Sequence, residues 1–303
     1  MTKLYMYVGL PGSGKSTHAA LLAEELHCDV ISSDAIRKEW YGDENIQGNA
    51  AKIFEEVHKR CKERLARGEN VIMDATNLNA KRRTSFLKSM PDGILKCCVV
   101  MATPFTQCLT RDASRSRSVG IRVLEKMRKN FQMPYYNEGW DHIEVIYGDE
   151  VVDSTSHFEQ EKLFDQHNHH HTLTVGNHEA TAAEYAERQE WDAIVAWAAD
   201  YHDCGKIHCQ VFKEGDPDAH YYGHESVSAY TFLTMDIAKT IYVLGATRKV
   251  VECAALITWH MVPYTFGEGK TYAGIEQWCA NKGFDEDFAE HLAQLHEADL
   301  AAH

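Results

Sequence analysis

The chain has 303 residues, 44% hydrophobic and 25% charged, a composition that excludes a disordered or fibrous protein and can fill two domain cores. No apolar run approaches the roughly 18 residues of a membrane span, and the N-terminus enters a strand pattern at Leu4 without a signal-peptide layout. Residues 1–150 carry 22 Lys+Arg against 20 Asp+Glu, net +2, while residues 151–303 carry 9 against 25, net −16, together the −14 of the whole chain.

Histidine divides the same way, with 4 in the first part and 14 in the second. So acidic a half repels a phosphate backbone unless bound cations intervene. The break therefore predicts two domains, with metal in the second. Nine cysteines, none in a CxxC pair and two of them (Cys97, Cys98) inside an apolar run, predict a reduced, cytoplasmic protein.

Along the chain, LYMYV reads as a short apolar strand, followed by the glycine-rich turn from Gly9 to Ser16 and the helical run THAALLAEEL. This is GxxxxGKS in the strand-then-helix setting that its chemistry needs. Glycines let backbone N–H groups turn inward around phosphate oxygens, and the helix N-terminus adds its positive end. Gly9, Gly12, Ser13, Gly14, Lys15, Ser16 and Thr17 are thus the candidate ATP and Mg²⁺ residues. Lys15 would reach the β- and γ-phosphates and Ser16 the Mg²⁺.

The segment CDVISSDAIRKEW runs a second strand into Asp34, with Arg37 one helical turn on. A carboxylate at a strand edge suits a general base for an acceptor hydroxyl, and the same residue also suits a helix N-cap. GENVIMDATNLNAKRR gives a third strand ending at Asp74, followed by Thr76 and Asn77. Asp74 occupies the place of a Mg²⁺-side acid or of a substrate-orienting one. A fourth strand, LKCCVVMA, leads to Arg111, Arg115 and Arg117 on a helix-like stretch, where arginine forks suit phosphoryl oxygens at a closing lid.

Together GLPGSGKST, SSDAIRK, VIMDATNLNAKRR, the Arg111/Arg115 pair and PYYNEGWDHIEVI resemble the phage-type polynucleotide 5′-kinase family over residues 1 to about 150. The resemblance implies an α/β P-loop kinase fold, a five-stranded parallel sheet with helices on both faces. It implies Asp34 as base for a 5′-hydroxyl and Arg37 on the acceptor's phosphate. Arg111 and Arg115 would cover the donor phosphates, and Asp74, Thr76 and Asn77 would lie on the acceptor side.

After about residue 152 the polar stretch DSTSHFEQEK reads as a linker over 153–162. Five apolar-periodic segments then predict an all-α domain over 163–303. Each offers a ligand-type residue: His171, the pair His202-Asp203, His224, His260 and Asp299. Mixed imidazole and carboxylate ligation suits Mn, Fe, Co, Ni or Zn ahead of Mg²⁺ or Ca²⁺. HNHHH at 167–171 offers several candidates for the first ligand, with His178 seven residues after His171 along the same helical face.

The order H…HD…H…H…D, with HDCGK, resembles the HD phosphohydrolase superfamily. That resemblance implies one metal on His171, His202, Asp203 and Asp299, and a second on His224 and His260 with Asp203 bridging. It places Lys206 on the substrate phosphate.

Taken together, the two resemblances imply a bifunctional end-healing enzyme. It would phosphorylate 5′-hydroxyl ends with ATP and remove phosphate from 3′ or 2′,3′-cyclic ends, RNA ahead of DNA, preparing both for a downstream ligase. Similar fusions in RNA repair have the opposite domain order. The alternatives are a small-molecule or nucleoside kinase joined to an HD nucleotidase, and an ATP-dependent switch with a nucleotide-binding HD module. The sequence assigns no membrane partner and no oligomeric state.

Overall fold

The computed structural model describes residues 1–303 apart from 45, 47, 116, 117, 170, 171 and 268. The chain divides into two compact units, Met1–Leu124 with Glu138–Gly148, and Glu125–Asn137 with Asp149–His303.

The first unit is built on strands β1 (Lys3–Val8), β2 (Asp29–Ser32), β3 (Val71–Asp74), β4 (Leu95–Ala102) and β5 (His142–Tyr147). They form one parallel sheet in the order β2-β3-β1-β4-β5, with Leu4 opposite Val71 and Met6 opposite Cys98. β1 and β3 are flanked by strands on both sides. Accordingly, all four residues of β3 are buried, as are Leu4, Met6, Tyr7 and Val8 of β1, the near-continuous burial of an inner parallel strand. The connecting helices are α1 (Lys15–Leu26), α2 (Ser33–Tyr41), α3 (Ala50–Ala66), α4 (Ala80–Leu87) and α5 (Phe105–Ala113); α6 (Ile121–Arg128) starts in this unit and passes into the second at Glu125. On α3, Ile53, Val57, Cys61 and Leu65 recur every fourth residue and are the buried ones, so one apolar stripe packs inward.

The second unit contains α7 (Ser154–Glu161), α8 (Val175–Arg188), α9 (Ala193–Tyr201), α10 (His224–Leu233), α11 (Asp236–Val243), α12 (Thr247–Trp259), α13 (Thr271–Lys282) and α14 (Glu286–Ala301). The expected linker 153–162 is instead mostly α7, capped by the Asp153 carboxylate on Ser156 N and burying His157 and Glu161. The half expected to be all-α also carries a two-residue antiparallel ribbon, Val211–Phe212 with Ala219–His220. The segment Glu125–Asn137, placed by sequence in the first domain, belongs to the second unit. There Phe131 meets Tyr230 edge-on at 5.2 Å, Arg128 donates to Thr231 Oγ1 at 2.7 Å, and Tyr135 stacks on Phe284. Among the described residues no helix is long and apolar enough to cross a membrane.

Candidate functional site

Each unit gathers its own set of chemical groups. In the first, the chain leaves β1 through a loop that only glycine permits. Gly12 has φ +80, and a Cβ there would lie 2.4 Å from the Cys108 carbonyl oxygen. Gly14, at φ 90, opens α1 directly onto Lys15. Thr103 Oγ1 donates to Ser13 O at 2.9 Å, and Gly9 N donates to Thr76 O at 3.1 Å, so strand ends on both sides of β1 hold the loop. Lys15 Nζ donates to Leu10 O at 2.7 Å, folded back along the loop. Burial lowers its ammonium to about 8, against the partial support of Asp74.

The Ser16 hydroxyl donates to Asp74 Oδ2 at 2.6 Å. That contact sets Asp74 beside the hydroxyl expected to join Mg²⁺, the first of the two places that the sequence left open for it. The neighbouring Thr76 and Asn77, also expected on the acceptor, serve the loop. Asn77 Nδ2 donates to Tyr7 O at 2.8 Å, and Asn77 O accepts from Arg83 Nη1 at 2.8 Å. Arg83 in turn is locked on Glu138 by two bonds of 2.5 and 2.7 Å, both side chains buried. Sequence reasoning passed over this pair, since nothing local links residues 55 positions apart.

The helix-cap alternative for Asp34 is settled by its neighbour. Ser32 Oγ accepts from Ala35 N at 3.0 Å and so caps α2. Asp34 keeps a half-exposed carboxylate, held by buried Arg37 at 2.6 Å. The Nε of Arg37 has no hydrogen-bond partner among the described residues. Arg111 Nη1 lies 3.5 Å from Gly12 O, at the phosphate loop, and Arg115 is exposed near Lys15. Arg117 lies outside the described residues.

In the second unit, Asp203 stands between two histidine pairs. Its Oδ2 lies 3.5 Å from His202 Nε2 and 3.7 Å from His178 Nε2; its Oδ1 lies 3.2 Å from His224 Nε2 and 3.8 Å from His260 Nε2. Asp299 Oδ1 completes the first group at 3.0 Å from His178. His171 lies outside the described residues; the residue that the fold brings to this group is His178, on α8.

Helix ends place these ligands. His202 and His260 follow the last residues of α9 and α12, and His224 opens α10. Each points Nδ1 at the carbonyl three residues earlier: Ala199 at 2.8 Å, Ile257 at 2.7 Å and Tyr221 at 2.8 Å. A carbonyl only accepts, so Nδ1 carries a hydrogen and Nε2 is the atom that faces inward. The inward atoms meet in pairs, His178–His202 at 3.3 Å and His224–His260 at 3.2 Å. At the about 2.05 Å of a zinc–nitrogen bond, such a separation subtends about 105°, close to a tetrahedral angle.

Burial disfavours charge on His202, but Asp203 and Asp299 outweigh it and raise the imidazole to about 9. Burial, with His224 and His202 beside it, lowers His260 to about 3. Burial also pushes the Asp203 carboxyl up, yet Lys206 and His202 hold it well below the usual carboxylate range. Lys206 binds Asp203 Oδ2 at 2.5 Å and Gln166 Oε1 at 2.8 Å. With His224, His260 and Tyr264 it lines a cavity of about 740 Å³. Tyr264, absent from the sequence reading, donates to Asp299 Oδ2 at 2.7 Å. Gly205 of HDCGK is explained by packing: a Cβ would stand 2.5 Å from Ser228 N on α10.

The sheet order, the glycine loop at the end of β1 and the Ser16–Asp74 contact define, for the first unit, a P-loop phosphotransferase site for ATP and Mg²⁺. Residues 4–134 match the AAA domain family. The shikimate kinase of Caldicellulosiruptor saccharolyticus is 30% identical over 148 residues, 44% of this chain and 81% of that one. The transcription factor bHLH140 of Arabidopsis thaliana is 27% identical over 157 residues, 49% of this chain, which spans only 16% of that protein. A chain of the Pnkp1/Rnl/Hen1 complex is 21% identical, covering 51% of this chain and 50% of its own, with a TM-score of 0.35. Through its first half, this chain belongs to the P-loop kinases.

Proposed function

We propose that the protein heals broken nucleic-acid ends. Its kinase site would phosphorylate 5′-hydroxyls, and its helical unit, read as an HD phosphohydrolase, would remove phosphate from 3′ or 2′,3′-cyclic ends, RNA ahead of DNA. The observation that carries the second activity is the position of Asp203, one oxygen toward each histidine pair.

In the kinase step the acceptor hydroxyl gives its proton to Asp34 as its oxygen bonds to the γ-phosphorus. The bond from that phosphorus to the β–γ bridging oxygen breaks, and ADP leaves. Lys15 neutralises charge on the leaving phosphates, Ser16 and Asp74 hold the Mg²⁺ side, and Arg111 stands beside the loop. Arg37 fixes Asp34, and its Nε, without a hydrogen-bond partner among the described residues, supports an acceptor that itself carries phosphate, as a polynucleotide does.

In the helical unit, His178, His202, Asp203 and Asp299 would hold one divalent transition metal, and Asp203, His224 and His260 a second. When bound, such ions lower the pKa of a water and polarise a phosphoryl oxygen. The chain's own part is to turn the Nε2 atoms of the four histidines inward, to orient Asp299 through Tyr264, and to offer the Lys206 ammonium to the substrate phosphate.

A second reading, a small-molecule kinase, is favoured by the match to a shikimate kinase over most of that enzyme's length. γ-Labelled ATP offered with a 5′-hydroxyl oligoribonucleotide, a nucleoside and a small hydroxy acid in parallel separates the two. Label on the oligonucleotide is expected. Label confined to either small acceptor would establish the second reading.

A further inference from the structure

At the end of the two-residue ribbon the chain carries three ring side chains in a row, His220, Tyr221 and Tyr222, all lining the cavity that holds Lys206. Residues two apart along an extended chain face the same way. His220 and Tyr222 do so, stacked with ring centroids 5.4 Å apart and planes 11° apart. Between them Tyr221 is tied inward, its hydroxyl donating to Gln166 O at 2.5 Å and accepting from Gln210 Nε2 at 2.8 Å. Gln166 is also the residue whose Oε1 accepts from Lys206. One short segment therefore fixes the lysine at depth and presents a stacked ring pair in the same cavity.

The pair is held by polar bonds to its ring atoms. Asp216 Oδ2 accepts from His220 Nε2 at 2.8 Å, and the Tyr222 hydroxyl accepts from Lys213 Nζ. These bonds fix how the rings stand, yet Tyr222 stays 56% exposed, so little is left to order when a flat ring arrives. Met261, Tyr264 and Leu300, all exposed, line the same cavity, which thus joins an apolar and aromatic wall to a buried cation. A nucleotide has the matching parts, a flat base and a phosphate. The volume of about 740 Å³ lies within the roughly 300–1,000 Å³ of small-molecule sites. Glu214, Asp216 and Asp218 in the ribbon's turn repel a long phosphate track, so the unit recognised is one terminal nucleotide.

We propose that Tyr222, stacked on His220, receives the terminal nucleobase of the strand whose phosphate Lys206 meets. The inference rests on the phosphohydrolase reading of this unit and adds a requirement to it. The substrate must carry a base at its end, and the identity of that base matters little, because every base has a π face.

Two measurements on the full-length protein separate the base platform from the phosphatase. The first follows phosphate release from an oligoribonucleotide 3′-phosphate and from the same oligonucleotide with an abasic last residue. Wild type should favour the intact end about 10- to 100-fold in kcat/KM. Tyr222→Ala should fall to the abasic rate on both, and Tyr222→Phe should keep most of the preference. The second titrates 2-aminopurine riboside 3′-phosphate, whose fluorescence is quenched by stacking and needs no turnover. Wild type and Tyr222→Phe should quench it, and Tyr222→Ala should not. Quenching that depends on Tyr222 in a protein that releases no phosphate upholds the platform and overturns the phosphohydrolase reading. Phosphate release without preference for the intact end, or a rate on it unchanged in Tyr222→Ala, overturns the platform and leaves the phosphohydrolase standing. Equal quenching by wild type and Tyr222→Ala overturns the platform whether or not phosphate is released.

Discussion

The Ser16 hydroxyl donates to Asp74 Oδ2 across 2.6 Å, joining the phosphate loop to the end of the neighbouring strand β3. The contact ties the start of α1 to the end of β3, and this makes the sheet order matter for the proposed Mg²⁺ position. Removing the acid leaves Ser16 without its orienting partner. Asp74→Asn should raise the Mg²⁺ concentration needed for half-maximal kinase activity about 10- to 100-fold. An unchanged Mg²⁺ titration would return Asp74 to the acceptor side.

Lys15 gives a pH signature. Burial holds its ammonium at about 8, below the ordinary lysine value of 10.5, and only the charged form attracts phosphate. The sign is direct: as pH rises through about 8 the free enzyme loses the cation, so affinity for an unreactive ATP analogue falls. Calorimetric titrations a unit or more to either side of that value should show the loss. Equal affinity on both sides would show that Lys15 stays charged.

The buried Arg83–Glu138 pair should govern the stability of the first unit. Arg83→Met strands a carboxylate that is 3% exposed and that, among the described residues, otherwise keeps the Trp140 Nε1 bond of 3.1 Å. Urea unfolding should register a loss of about 3–5 kcal/mol, and the double variant Arg83→Met/Glu138→Leu should recover much of it. A single-variant loss under about 1 kcal/mol would mean that the pair is solvated.

How far the sequence could be read depended on whether a residue's role is local. The phosphate loop was legible because glycine, lysine and serine at fixed spacing have few other uses, and His202-Asp203 because Gly205 and Lys206 follow it. His178 was seen but passed over, since Leu173 and Val175 after His171 matched the apolar pattern that the resemblance requires. The helix α7 read as a linker because the residues it buries, His157 and Glu161, are polar ones. The place of Phe131 and Tyr135 in the second unit depends on partners about 100 or more residues away, and no local pattern encodes that.

The central claim is that Asp203 anchors a metal-dependent phosphohydrolase in the same chain as the kinase. It is tested most directly by phosphate release from oligoribonucleotides ending in 3′-phosphate or 2′,3′-cyclic phosphate. Wild type should release phosphate, should stop in chelator, and should recover on adding back Mn, Co, Ni or Zn. Asp203→Ala should lose at least about 100-fold, more than His224→Ala or His260→Ala, because both histidine pairs lose their shared carboxylate. The Asp203→Ala protein should still transfer phosphate from ATP at the wild-type rate. Undiminished release in chelator, or wild-type release by Asp203→Ala, would contradict the account.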